Sequence, residues 1–525
     1  MSTFPRTHAQ LTGQDSTQNA SDADYRDYDA MAQAILYARG IPATFVVYTD
    51  GTYWYATNAM GVLTYGGPSG VGSVSGSAPT PVIQAALNAL SGTYKQKVTV
   101  VGNVTIAATV TLPSYCILEV DGTWTLANSV NGHMVTNASL SGGNSCIDVI
   151  GGYFNGNYTN QITGDIIHFE KCTNCRIFDC TFTLAKGSEI CFGNSSGSGQ
   201  KCYYCQVSNC NFILSYAYGI YDYNSWGNEY VGNSFANVNY GIYLNDTYQS
   251  AIGGNTFSYM TNAGIYIANT YESVISGNTM AVYGAIGIQA TGTTLNSLCI
   301  VGNHIDTASQ QAVYLNCTGV GNIITGNTFS DNGYTSSGPT YYPDITVGSG
   351  TGLLNTVVVG NNFRHFPSGP WYASINIQVY GNQTTVIGNT MDYAQTDGID
   401  LNGCSNCIVK GNIIQNCSAY AIKELNSANY NSIEGNTLVS VTNTILKVGS
   451  ATVIRNNVGY ATESSGSSTG TGSQQSIAHG LVAVPTSVSI VPTASGATVS
   501  FAYADATNIY VTVTSGTAFN WRASV

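Results

Sequence analysis

A chain of 525 residues that is 43% hydrophobic but only 8% charged can build a large core and has little means of ionic steering. Its 27 acidic and 15 basic side chains give a formal net charge of −12, which excludes a basic face for nucleic acid and disfavours an anionic membrane surface. No stretch approaches about 18 uninterrupted apolar residues, so no membrane insertion is expected. The opening "MSTFPRTHAQ" lacks a basic run followed by an apolar one, so no signal peptide is expected and the chain should fold in a cytoplasm.

In chain order, residues 22–39, "DADYRDYDAMAQAILYAR", have helical apolar spacing and end at Gly40. "FVVYTDGTYWYAT" predicts a hairpin turning at Asp50-Gly51. "APTPVIQAALNALSG" predicts a short helix, with Thr80 as N-cap, Pro81 at the first helical position, and Ile83, Ala86, Leu87 and Leu90 on the buried face. That helix would plug the open end of the central region, and it closes an N-terminal region over 1–94.

The central region is a repeat. Gly241-Ile242-Tyr243-Leu244 returns as Gly264-Ile265-Tyr266-Ile267, and Gly254-Asn255-Thr256-Phe257 as Gly277-Asn278-Thr279-Met280, both 23 residues on. Gly-Asn recurs from Gly232 to Gly435 in steps of 22, 23, 25, 24, 34, 28, 23 and 24 residues. A period near 23 with apolar residues two apart, rich in Ile, Val and Phe, predicts an all-β solenoid: a right-handed parallel β-helix of roughly 14 coils over 95–460. Glycine at the corner supplies a positive φ, and the stacked asparagines form a ladder that satisfies corner backbone groups. The longer steps mark protruding loops, "DNGYTSSGPTYYP" and "RHFPSGPWYAS", and "GNSSGSGQKC" lengthens an earlier coil.

Strand alternation points one residue of each Gly-Ile-x-φ phrase outward. Coil by coil these are His168, Cys191, Tyr221, Tyr243, Tyr266, Gly287, Tyr314, Thr346, Asn376, Asp400 and Lys423. Tyr221, Tyr243, Tyr266 and Tyr314, with Asn245 beside them, form either a platform for sugar rings or a packing ladder, on the surface or in an interface between copies. Asp222 takes a slot that neighbours fill with Phe192, Leu244 and Ile267, and Glu189 lies one coil earlier; they are the candidate acid and base or nucleophile. Asp392, Asp397 and Asp400 read as turn chemistry plus an Asp400–Lys423 pair across coils, and His168 with Glu170 is a third option. Cys172/Cys175 and Cys202/Cys205 stack as two CxxC pairs. A flat array suits tetrahedral zinc poorly, so no metal and no cofactor are expected.

"TESSGSSTGTGSQQS" predicts a flexible linker over 461–477, and "LVAVPTSVSIVP", "ATVSFAYA", "NIYVTVT" and "AFNWRA" a small β-sandwich-like module over 478–525.

The entry helix "IQAALNAL", the adjoining "VTIAATVTLPSYCILEVDGTWTL", the Gly-Asn coils and the terminal "IAHGLVAVPTSVSIV" and "FNWRA" resemble the tailspikes and tail fibres of phages, with their pectate-lyase-like β-helices. The resemblance covers most of residues 80–525 and implies a homotrimeric receptor-binding protein of the virion tail. It would be assembled in the host cytoplasm and held to the tail or baseplate by its N-terminal region. It implies binding of a host surface polysaccharide or glycoprotein for adsorption. Some family members cleave that glycan as hydrolases or lyases, and others only bind. The alternative is a non-viral cell-surface adhesin or structural protein of the same architecture, without catalysis.

Overall fold

The computed structural model describes residues 40–193, 201–284, 286–292, 294–333, 342–348, 352–366 and 373–525. The expected helix over 22–39 lies outside these residues, as do most of the three expected loops.

Strands Ala43–Thr49 and Trp54–Asn58 form the expected antiparallel hairpin, pairing Thr49 with Trp54 across the Asp50-Gly51 turn. Asp50 shapes the turn by accepting the Thr52 and Tyr53 N–H groups, each at 2.8 Å. Ala43–Thr49 also pairs in parallel with Gln96–Val101, so the hairpin covers the first edge of the solenoid. The α-helix Pro79–Asn88 buries Val82, Ile83, Ala86 and Leu87 against the first coils. Its N-cap is Ala78, not Thr80. Thr80 sits inside the first turn, where its hydroxyl accepts the Ala107 N–H at 3.1 Å and ties the helix to a coil.

From Gln96 to Arg455 the chain winds as a parallel β-helix. Each coil passes through three stacked sheets, exemplified by Ala251–Gly253 in the first, Thr256–Ser258 in the second and Ala263–Ile267 in the third. The second and third sheets have 14 strands each. At the usual ~4.8 Å spacing such a stack runs about 62 Å. Isoleucines of the third sheet keep strict register, Ile220 with Ile242, Ile265 and Ile288. Inside the second sheet Phe154, Phe182, Phe212, Phe235 and Phe257 stack with centroids 5.3, 5.3, 4.6 and 4.8 Å apart. These fully buried rings, with aliphatic neighbours, form one continuous core along the rod.

Gly-Asn makes the corner from the first sheet to the second. Gly254 has φ 61° and Gly277 φ 61°, a left-handed region that costs a residue with a Cβ strain. The next asparagine is buried and bonds from coil to coil. Asn255 donates its N–H to Asn278 Oδ1 at 2.9 Å and its Nδ2 to the same oxygen at 3.0 Å, and Asn278 treats Asn303 likewise. The ladder continues to Asn457. Cys210 occupies the same slot earlier; its N–H donates to Asn233 Oδ1 at 3.0 Å and its thiol to the Ser208 carbonyl at 3.3 Å.

The segment 461–477, expected as a linker, is instead largely strand. Glu463–Thr469 pairs antiparallel with Ala518–Ser524, which also pairs with Ser487–Pro492; Gln474–Ala478 and Val499–Ala504 flank Asn508–Val513. Backbone pairing supplies order there that Gly/Ser/Thr composition does not reveal. These two three-stranded sheets share a core of Leu481, Ile509, Val511, Val513, Phe519, Trp521 and Ala523, separate from that of the rod.

Candidate functional site

Outward-pointing positions of the third sheet bring the most unusual side chains together. The register is Tyr221–Tyr243–Tyr266–Gln289–Tyr314–Thr346–Gln378–Asp400–Lys423. Two expected positions therefore move. Gln289 replaces Gly287 and Gln378 replaces Asn376, because Ile288 and Ile377 are the residues that keep the inward isoleucine register.

The half-buried rings of Tyr221 and Tyr243 lie 5.3 Å apart at 36°, and those of Tyr243 and Tyr266 stack at 4.5 Å and 20°. A second column, three residues earlier on each strand, was not foreseen. Tyr218 and Tyr240 stack at 5.6 Å and meet the first column edge-on, Tyr240 against Tyr266 at 5.4 Å and 76°. Alternating edge and face contacts are the favoured packing of aromatic quadrupoles. Burial, then the neighbouring Tyr266, pushes the Tyr243 phenol above its ordinary value, so it stays a neutral donor. Asn245 Nδ2 donates to Tyr221 Oη at 3.4 Å, and Tyr266 Oη pairs with Thr291 Oγ1. Tyr314 is separated from this patch by the Gln289 coil. A glycine at the strand entry, such as Gly241, lets the coils pack closely; a Cβ there would come 2.5 Å from the Gly264 carbonyl and 2.7 Å from the Phe257 ring.

The two carboxylates expected to work as a pair are both fully buried. Asp222 faces inward opposite Phe192 and Leu244 and accepts from Tyr230 Oη at 2.6 Å and Asn228 Nδ2 at 3.2 Å. Burial pushes its carboxyl up to about 7, against the lowering effect of those bonds. Glu189 lies in the slot that Gly219 and Gly241 take on the next coils, and neither of its oxygens has a hydrogen-bond partner. Burial alone holds it well above the usual carboxylate range. Asp222 and Glu189 sit three residues apart in strand register, about 10 Å along the strand. Neither reaches a surface a polysaccharide can touch, and the spacing is not that of a working pair. Glu424 repeats the Asp222 arrangement near the far end, buried and bonded to Thr452 Oγ1 at 2.6 Å and Asn431 Nδ2 at 2.9 Å.

Asp397 and Asp400 lie three residues apart on one strand of the third sheet, both buried. Lys423 Nζ is 3.2 Å from Asp397 Oδ2, so the lysine pairs with Asp397 rather than with the in-register Asp400. Asp400 Oδ1 is buried without a hydrogen-bond partner. Burial, then the charge of Asp397, raises its carboxyl to about 7, with Lys423 opposing. Asp392 stands apart on the second sheet, where Asn416 Nδ2 donates to it at 2.8 Å.

At the other end of the register His168 lies between two acids, with Nδ1 2.8 Å from Asp165 Oδ2 and Nε2 2.9 Å from Glu170 Oε1. Asp165 and His133 complete a cluster that spacing alone did not disclose. Burial opposes ionisation of Asp165, yet its bonds to His133 and His168 outweigh it and hold the carboxyl well below the usual range. The stacked Cys172/Cys175 and Cys202/Cys205 pairs are buried at a corner that the next coils build from Ser225/Asn228 and Thr247/Ser250, so the CxxC spacing reflects the corner.

A family model described as "Right handed beta helix region" matches residues 165–329 and 287–459 of the chain. Among solved structures, a variant tailspike of Escherichia coli bacteriophage HK620 in complex with a hexasaccharide is 15% identical, with TM-score 0.59, covering 92% of this chain and 97% of that one. A second variant of that tailspike, in complex with a pentasaccharide, is 14% identical with TM-score 0.59 and 94% coverage of each chain. No curated protein sequence matches. The family model spans more than half of the chain, and the protein belongs to the right-handed β-helix family.

Proposed function

We propose that the protein is a tail spike or fibre that binds a host-surface glycan for adsorption, and that the glycan lies on the outer face of the third sheet at Tyr221, Tyr243, Tyr266 and Asn245, with Tyr314 further along. One observation carries the reading. Two tyrosine columns lock edge to face into a rigid, half-exposed patch next to amide and hydroxyl groups that suit sugar hydroxyls. The shared fold with a phage tailspike crystallised with oligosaccharides supports it.

Cleavage is the second reading, and Asp400 is the observation behind it: a buried carboxyl in the outward register, unpartnered at Oδ1 and raised to about 7, as a general acid requires. Asp397 and Asp400 are each only 2% exposed, however, which leaves a polysaccharide little access to them and favours binding without cleavage. The chain is further proposed to work as a homotrimer, anchored to the virion tail through 1–94 and carrying the C-terminal module, from strand Glu463–Thr469 onward, as its tip. Ile323 (39% exposed), Ile408 (39%) and Val453 (50%) share one outward register of the first sheet with Val357, Thr385 and Ser432, a partly apolar face away from the tyrosines that suits contact between copies.

The test is to pass host-surface polysaccharides over the immobilised full chain and to assay the same mixtures for released oligosaccharide. Saturable binding without release supports the first reading. Release abolished by Asp400→Asn supports the second. Binding to no host polysaccharide contradicts both.

A further inference from the structure

We propose that His133, His168 and Asp165 form a binding site for a first-row divalent cation of the zinc type, with Glu170 orienting His168. The side chains come from two successive coils at the early end of the third sheet, His133 from one and Asp165 with His168 from the next. One ligand atom from each of His133, Asp165 and His168 lies within 4.8 Å of the other two. His133 Nδ1 is 3.2 Å from Asp165 Oδ2, and His168 Nδ1 is 2.8 Å from the same oxygen. Bonds of 2.0–2.1 Å in a tetrahedron set donor atoms about 3.4 Å apart, close to the two contacts at Asp165 Oδ2, so closing on an ion chiefly requires one imidazole to turn.

His133 Nδ1 carries either one proton or one lone pair. As the acceptor of the Asp165 N–H at 3.1 Å it turns its lone pair towards Asp165 Oδ2 at 3.2 Å, an oxygen that already pairs with His168 Nδ1 at 2.8 Å. A cation between His133 Nδ1 and Oδ2 would relieve this lone-pair contact and would take Nδ1 from the Asp165 N–H. The rings of His133 and His168 stack at 4.0 Å and 23°, so one must turn to aim its lone pair at a shared ion. His133, whose side chain is 34% exposed, has room to turn.

The surroundings resemble those of a metal site. Asp165 Oδ1 is anchored by the Ser188 N–H at 2.6 Å, which leaves Oδ2 for the ion. His168 Nε2 pairs with Glu170 Oε1 at 2.9 Å, and the Glu170 backbone is itself held by Asn137 through bonds of 2.9 and 3.0 Å. A carboxylate on the far nitrogen fixes the tautomer and orientation of a ligating histidine. Two imidazoles and one carboxylate favour zinc over calcium or magnesium, with solvent completing the shell. On binding, His168 gives up its Nδ1 proton to solvent and keeps Nε2–H on Glu170.

The test uses the full chain, stripped with chelator and titrated with ZnCl₂ by calorimetry and with CoCl₂ by visible absorption. No saccharide is present, so the outcome is independent of the glycan reading. One ion per chain is expected. His133→Ala should weaken binding by roughly tenfold or more, and Glu170→Gln by about 10- to 100-fold, with circular dichroism unchanged. The expected cobalt spectrum has weak d–d bands without thiolate charge transfer. Three results would each overturn the proposal: no saturation below about 1 mM, His133→Ala binding like wild type, or a cobalt–thiolate spectrum that places the ion on the cysteines.

Discussion

Asn278→Ala tests how the rod is held together. The substitution removes four buried hydrogen bonds at one corner. Asn278 Oδ1 accepts the Asn255 N–H at 2.9 Å and Asn255 Nδ2 at 3.0 Å, and Asn278 Nδ2 donates to the Ile252 carbonyl at 3.0 Å and Asn303 Oδ1 at 2.9 Å. At a net ~1 kcal/mol per bond the loss is about 4 kcal/mol, and the stranded buried Asn255 N–H adds a further ~1–3 kcal/mol. That is a large part of the ~5–15 kcal/mol that holds a typical domain folded. Asn402, which accepts one exposed bond from Asn426 Nδ2 at 2.7 Å, is the control; its alanine variant should cost under about 0.5 kcal/mol. Urea-induced unfolding, followed by circular dichroism on wild type and both variants, measures the difference. An Asn278→Ala variant within about 0.5 kcal/mol of wild type would refute the ladder argument. So would additive losses in the Asn255→Ala/Asn278→Ala pair, since side chains bonded to each other must couple.

Asp222 keeps its proton in the folded state up to about 7, whereas an unfolded aspartate loses it near 3.8. The folded state therefore binds more protons between those values, and its stability should fall as pH rises from about 4 to about 7, by at most roughly 4 kcal/mol from this group. Asp222→Asn should flatten that slope in stability measured against pH, and an unchanged slope would remove Asp222 as its source. Deleting 462–525 removes a module with its own core and should leave the rod's β spectrum intact while impairing assembly or host binding. A truncated chain that is still trimeric by light scattering and binds host cells equally well would show that the module is not a functional tip.

The solenoid was legible because each coil solves the same problem with the same residues. Gly254-Asn255 and Gly277-Asn278 must turn a corner and satisfy it, so their identity and spacing announce the fold. Burial of the acids was less legible. Strict alternation fails at the entry of each third-sheet strand, where the Gly219 position and Ile220 both face the interior; Glu189 in that slot is hidden although its neighbour Ile190 also points in. A similar local shift placed Gln289 and Gln378, rather than Gly287 and Asn376, on the surface. Asn376 instead joins a buried network with Asp344 and His365. The second tyrosine column and the His133–Asp165–His168 cluster depend on side chains three residues away from the outward position or on neighbouring coils. Such contacts become visible only once the coils are stacked. The polar strand Glu463–Thr469 was hidden because its order comes from backbone bonds to Ala518–Ser524.

The most direct measurement of the central claim is the affinity of Tyr243→Ala/Tyr266→Ala for the host-surface polysaccharide that wild type binds. The two rings stack at 4.5 Å in the middle of the patch. Each ring stacked against a sugar should contribute on the order of 1 kcal/mol, so the double variant should bind about tenfold or more weakly while keeping its fold and oligomeric state. Wild-type affinity in a correctly folded double variant would contradict the account, and would leave the tyrosine columns as packing between coils or between copies of the chain.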